Sequence, residues 1–191
     1  MFREVELERI VPVVAESCNS DKIISQRSIV TQLLEGLLRE KACKNCGYFL
    51  SVTSLKRIGK GQAVEQGNLI FPVVFKCRTF LPLKGEIFQG VVTSVLRLGV
   101  FLRFGPIKYA FLCDRKMHGY RFVSGENPSF VNDEHAEIKK DVVVRFKVLD
   151  VRWVEKREGR VCIRKEFMML ATIDGDSLGP ISLCESDELD L

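Results

Sequence analysis

Apolar and charged residues alternate through FREVELERIVPVV, Phe2 to Val14, and this period of two predicts a strand. The period then changes. In CNSDKIISQRSIVTQLLEGLLREKACKNCG, Ile23, Ile24, Arg27, Val30, Leu34, Leu37, Leu38 and Lys41 recur at spacings of three and four. One long amphipathic helix is predicted despite Gly36, capped by Asn19 or Ser20 and stopped by Asn45-x-Gly47. GYFLSVTSLKRIG returns to strand character, GKGQ marks a turn, and NLIFPVVFKCRTF gives another strand. Pro72 places that last strand at an edge or on a bulge, because proline cannot donate to a ladder. The first half is therefore expected to be β-α-β-β, a small sheet carrying one helix.

A boundary falls where CRTFLPLKGEIFQG brings in Pro82 and Gly85. Beyond it there is no long helical period. GEIFQGVVTSVLRL, GVFLRFG and IKYAFLC read as three strands, DRKMHGYRFVSGENPSFVNDEHAEIKKD as a loop-rich stretch, and VVVRFKVLDVRW and GRVCIRKEF as two more strands. Five such strands with glycines at the bends describe a small Greek-key barrel of the OB type. The expected organisation is α+β, with domains at 1–81 and 82–182 and an acidic tail at 183–191.

GVFLRFG sets the functional question. Val100, Leu102 and Phe104 share one face, which leaves Phe101 and Arg103 together on the other. The same pairing of outward rings and cations recurs. Tyr109 and Phe111 share a face near Lys108, Arg145 and Lys147 oppose Val142, Val144, Phe146 and Val148, and Arg164 and Cys162 oppose Val161 and Ile163. Aromatics that stack bases, interleaved with cations that follow phosphates, are how such barrels hold single-stranded nucleic acid. Cover of Phe101 by the first domain or by another subunit is the alternative, and exposed cations on strands are common.

Charge changes the picture by its distribution. Net charge is +4, but residues 81–170 carry 17 basic against 11 acidic side chains, and the last 21 carry none against six. A basic second domain favours a polyanion. Seven cysteines, an odd number, suit reduced thiols better than a disulfide framework. Cys43-x-x-Cys46 has half the ligands of a zinc site but no second pair, and the two histidines, His118 and His135, are distant. Two ordinary thiols are the expectation, with no metal and no cofactor. No apolar run approaches the ~20 residues of a membrane span. MFREVELERI lacks the basic-then-apolar order of a signal peptide, so a cytosolic or nuclear address is expected. Gly59-Lys60-Gly61 lacks the loop length and the Ser/Thr of a phosphate cradle. It reads as a turn with a solvated lysine, or as a docking knob. Cys113 and His118 stand near each other in sequence, but nothing in it orients the histidine, and His135 sits in a charge run. No enzyme is expected.

GEIFQGVVTSVLRLGVFLRFG resembles the opening of an S1 RNA-binding domain, G-x-V-x-x-G-x-V followed by a Gly-x-Phe strand, at Gly85, Gly90, Val92, Gly99 and Phe101. It departs at Leu98 and Phe111, where an aromatic and a histidine are usual. LKRIGKG, FLPLKGE, VVTSV, LGVFLRFGP and DGDSLGP extend the resemblance over roughly 1–181, in the order found in the seventh-subunit family of eukaryotic RNA polymerases, which includes an archaeal stalk counterpart. GYRFVSGENPSF and IDGDSLGP are most similar to the plant-specific polymerase IV and V form.

The resemblance implies an elongated, non-catalytic, nuclear stalk subunit with a ribonucleoprotein-like first domain. Its tip, Ile58-Gly59-Lys60-Gly61, would dock on the polymerase core, and a fourth subunit would be its partner. Its S1 barrel would meet nascent single-stranded RNA through Phe101, Arg103, Lys108, Phe111, Arg145, Lys147 and Arg164. In polymerases IV and V it would serve small-RNA-directed DNA methylation and gene silencing. The polymerase II form and a free S1-domain factor remain the alternatives.

Overall fold

The computed structural model describes residues 1–14, 26–64, 68–158 and 162–181, with the backbone alone at Val14, Asn68, 156–158 and 162–164. The described fold is α+β and mostly sheet, and the chain divides into two compact units between Leu81 and Pro82.

In the first unit, β1 (Phe2–Val14), α1 (Gln26–Glu40), β2 (Ala42–Cys43), β3 (Gly47–Ile58), β4 (Gln62–Ala63) and β5 (Asn68–Phe80) follow one another. The strands form an antiparallel sheet in the order β1-β5-β3-β2, and β4 pairs the start of β5. β1 and β5 run in register from Phe2↔Phe80 to Val14↔Asn68, so one face alternates into the core. Val73, Phe75 and Cys77 of β5 and Val11 and Val13 of β1 pack with Ile29, Leu33 and Leu37 of α1. Each such aliphatic side chain contributes about 1.5–3 kcal/mol on burial.

Three expectations for this unit need correction. The buried helical row is Ile29, Leu33 and Leu37, whereas Leu34 and Leu38 are 41% and 73% exposed. Two apolar rows run side by side along this helix, and the sheet can cover only one of them. The helix also ends at Glu40, before Asn45, because Lys41 takes φ 61° and turns the chain out of it. The predicted caps Asn19 and Ser20 lie outside the described residues. Pro72 is neither on an edge strand nor at a bulge of its own: β5 has neighbours on both sides, and the register shifts of the β3–β5 pair fall on β3, at Phe49/Ser51, Val52/Ser54 and Leu55/Arg57. Its missing donor is harmless for another reason. The last β3 pair is Ile58↔Val73, and at Pro72 only the carbonyl is used on that side, accepting from Gly59 N–H at 2.7 Å.

The second unit contains β6 (Ile87–Leu96), β7 (Gly99–Phe104), β8 (Ile107–Cys113), β9 (Arg121–Val123), β10 (Ser129–Val131), β11 (Glu137–Ile138), β12 (Val143–Glu158), β13 (Cys162–Thr172) and β14 (Gly179–Pro180). The order β13-β8-β7-β6-β12 is closed by a β12–β13 pairing into a ring of five strands; β8 and β13 are parallel and β14 adds to β12. Val92, Val100, Leu102, Ala110, Leu112, Val144, Phe146, Val148 and Met169 are buried. Gly99 opens β7 at φ 143°, where a Cβ would meet the Leu112 carbonyl at 2.2 Å, so no other residue fits. The stretch read as loop holds a small sheet, β11-β10-β9, around Phe130 and Ile138. Its strands are two or three residues long, too short for a period to show.

Candidate nucleic-acid interface

β7 and β8 are antiparallel neighbours, and their register puts Phe101 directly opposite Phe111. With Val100, Leu102, Ala110 and Leu112 buried, strand alternation turns both rings to the outer face. The rings lie 5.0 Å apart, tilted by 46°, and Tyr109 meets Phe101 edge-on at 6.3 Å. All three are half-buried, so each keeps some surface open to solvent. Leu170 of β13 stands opposite Phe111 and is 37% exposed, continuing this apolar belt by one strand. Asp150, held by Arg152 at 3.1 Å, pairs with Leu170 and bounds the belt on that side.

The cations are distributed unevenly about this belt. Arg103 follows Phe101 on β7, opposite Val91, and Lys108 precedes Tyr109 on β8; both are exposed. Val91 also pairs with Val143, so Arg145 and Lys147, two and four residues farther along β12, share the outer face with Arg103. They stand two strand spacings from β7, about 10 Å away. None of these four is in an ion pair among the described residues. Arg164 is not brought to the belt. Its side chain lies outside the described residues, and its backbone is six residues along β13 from Leu170, or about 20 Å. Sequence reasoning missed Leu170 and Asp150 as neighbours of the rings. Leu170 sits in the unbroken apolar run FMMLA, where no alternation reveals which side faces out.

The tip segment runs from Ile58, the last residue of β3, to Gly61, just before β4. Ile58 is half-buried, and Lys60 and Gly61 are exposed. A Cβ on Gly59 would stand 2.5 Å from the Pro72 ring, and one on Gly61 would stand 2.6 Å from the Phe71 ring. Both glycines thus have a packing reason, which leaves Lys60 as the side chain able to reach outward.

The expectation that nothing orients His118 also changes. Its Nδ1 is hydrogen-bonded to the Asp174 carboxylate. The Cys113 thiol donates to Asp114 at 3.1 Å, which with the Arg115 N–H holds that carboxyl below its usual range. His135 occupies a tight turn at φ 63°, its N–H bonded to the Asn132 carbonyl. No group of three metal-binding side chains exists among the described residues.

No family model matches the chain. Among curated proteins, it is 40% identical over 183 residues to the DNA-directed RNA polymerase V subunit 7 of Arabidopsis thaliana, spanning 95% of this chain and 99% of that protein. It is 45% identical over 181 residues to the RNA polymerase IV subunit 7 of the same plant, covering 94% and 99%. To the RNA polymerase II subunit RPB7 of Glycine max it is 33% identical over 138 residues, covering 71% and 73%.

Proposed function

The chain belongs to the subunit 7 family of DNA-directed RNA polymerases, and from that premise we propose that it is a nuclear accessory subunit of a polymerase IV or V type enzyme that contacts single-stranded RNA. Its second unit is the RNA-binding part, an OB-type barrel of the S1 kind. A closed ring of five strands supports this reading, with the rings and Arg103 on its second and third strands, the face such barrels use for oligonucleotides. The carrying observation is the outward Phe101–Phe111 pair beside cations that form no ion pair among the described residues. Bases stack on the rings, and Arg103 and Lys108 take phosphates close by, with Arg145 and Lys147 extending the track. Readout is sequence-tolerant, since every base has a face to stack.

The first unit, with Lys60 at its tip, docks on the polymerase core, and a fourth subunit pairs with the chain. Stronger likeness to the polymerase IV and V subunits than to the polymerase II one favours a place in small-RNA-directed DNA methylation. Affinity purification of the tagged chain tests the assembly: the largest subunit of polymerase IV or V should co-purify. Recovery of the polymerase II largest subunit instead would overturn that assignment, and recovery of no polymerase subunit would favour a free S1-domain factor. Fluorescence anisotropy with a labelled single-stranded RNA tests the surface, and binding insensitive to salt would overturn it.

A further inference from the structure

Cys43, the last residue of β2, is joined to β3 by the turn Lys44-Asn45-Cys46, and both thiols are free and half-buried. The Cys46 backbone N–H donates to Cys43 Sγ at 3.1 Å, and the Cys46 side chain is also hydrogen-bonded to Cys43. The Cys43 sulfur therefore accepts a backbone N–H, which is placed where negative charge would develop if Cys43 acted as a nucleophile. Arg9 of β1, held by Glu40 at 3.4 Å and lying over the Phe49 ring at 6.0 Å, adds a positive charge close enough to act on Cys46. Burial, followed by the bond to Cys43, pushes the Cys46 thiol up to about 11, so it stays protonated. Cys77 is fully buried in β5, and burial raises its thiol too.

We propose that Cys43 and Cys46 are a reversible dithiol–disulfide pair, oxidised by low-molecular-weight disulfides of the glutathione class, with Cys43 attacking and Cys46 resolving. The Cys43 thiolate attacks one sulfur of oxidised glutathione, breaking its S–S bond and releasing one glutathione thiolate, which takes up the proton Cys43 has lost. Cys46 then attacks the Cys43 sulfur of the mixed disulfide. The second glutathione leaves as thiolate and receives the Cys46 proton. Two protein thiols are oxidised and one small disulfide is reduced to two thiols. The Cys46 backbone already reaches the Cys43 sulfur across this turn, so the bond is one that closes within it. The reading is independent of RNA or polymerase binding.

The test uses the full chain, equilibrated with oxidised and reduced glutathione, alkylated, and digested with trypsin without reduction. Cleavage after Lys44 separates Cys43 from Cys46, so the two peptides stay joined only by a disulfide between them. The expected result is that joined pair, lighter by two hydrogens than the summed thiol peptides and lost on adding reductant. Full alkylation of both thiols, or a bond from Cys43 to Cys77, overturns the proposal. Cys46→Ser should trap one glutathione on Cys43, while Cys43→Ser should leave Cys46 without an adduct. Equal adduct formation on Cys46 in Cys43→Ser overturns the assigned order. Circular dichroism of each variant, with the Cys113 peptide as reference, separates altered reactivity from unfolding.

Discussion

Gly59 and Pro72 touch so closely that no side chain fits between them: the Gly59 N–H donates to the Pro72 carbonyl at 2.7 Å, and a Cβ would stand 2.5 Å from the ring. A proline ring cannot swing aside as a long side chain can. Gly59→Ala should therefore cost about 1–3 kcal/mol of stability through overpacking. Lys60→Ala should change stability by less than about 0.5 kcal/mol, as exposed substitutions do, yet reduce capture of polymerase core subunits. Urea unfolding and pull-down of the two variants separate packing from docking. A Gly59→Ala chain as stable as the parent would refute the packing argument. Unaltered capture by Lys60→Ala would remove the docking contact.

Phe101→Ala and Phe111→Ala should each weaken single-stranded RNA binding by about 1–3 kcal/mol while leaving the unfolding midpoint nearly in place. The double variant should lose less than the sum, because the two rings contact each other and organise one stacking surface. Arg103→Ala should flatten the plot of log affinity against log salt by about 0.7, one phosphate contact to a single strand. Anisotropy across a salt series measures all of these. If Phe101→Ala unfolds the chain, the ring is part of the core and the outer surface is not a stacking platform.

Much of the strand pattern behind this surface was legible because its alternation is strict. Val100, Leu102 and Phe104 bury as their period implies, and Phe101 and Arg103 fall on the other side. β1, β3 and β5 also follow their runs closely. Legibility fails where one-dimensional patterns are degenerate. Leu33-Leu34 and Leu37-Leu38 offer α1 two equivalent faces, and only the sheet chooses between them. Pro72 violates a local rule that pairing elsewhere satisfies. The belt neighbour Leu170 emerges from the parallel pairing of β8 with β13, a contact between segments about 60 residues apart that no local period encodes. The His118–Asp174 bond is hidden for the same reason.

Thr79 continues the buried row of Val73, Phe75 and Cys77 on β5, and its hydroxyl has no hydrogen-bond partner among the described residues. A buried hydroxyl that gains no partner on folding gives up hydration without compensation. Thr79→Val keeps the shape and removes the polar atom, so it should stabilise the first unit by up to about 1 kcal/mol. Chemical denaturation checks this. Clear destabilisation would mean that the hydroxyl is satisfied by a bound water.

Glu4 of β1 ties three strands together, accepting from the Thr53 hydroxyl of β3 at 2.8 Å and from the Lys76 ammonium of β5 at 3.1 Å. The Thr53 hydrogen bond first, and then Lys76, hold its carboxyl below the ordinary value of 4.5. Because the folded value is the lower one, the unfolded chain takes up this proton more readily, and the stabilisation is complete only above the ordinary value. It drains away as pH falls through the depressed folded value. Glu4→Gln keeps a hydrogen-bond acceptor but has no charge to titrate. The parent should therefore be the more stable at pH 7, with the gap closing as pH drops below 4.5. Added salt should shrink the gap at pH 7, since the pair is solvent-exposed. Urea midpoints of both proteins across an acid series provide the measurement, and a gap that persists unchanged into strong acid would show that Glu4 contributes by packing rather than by charge.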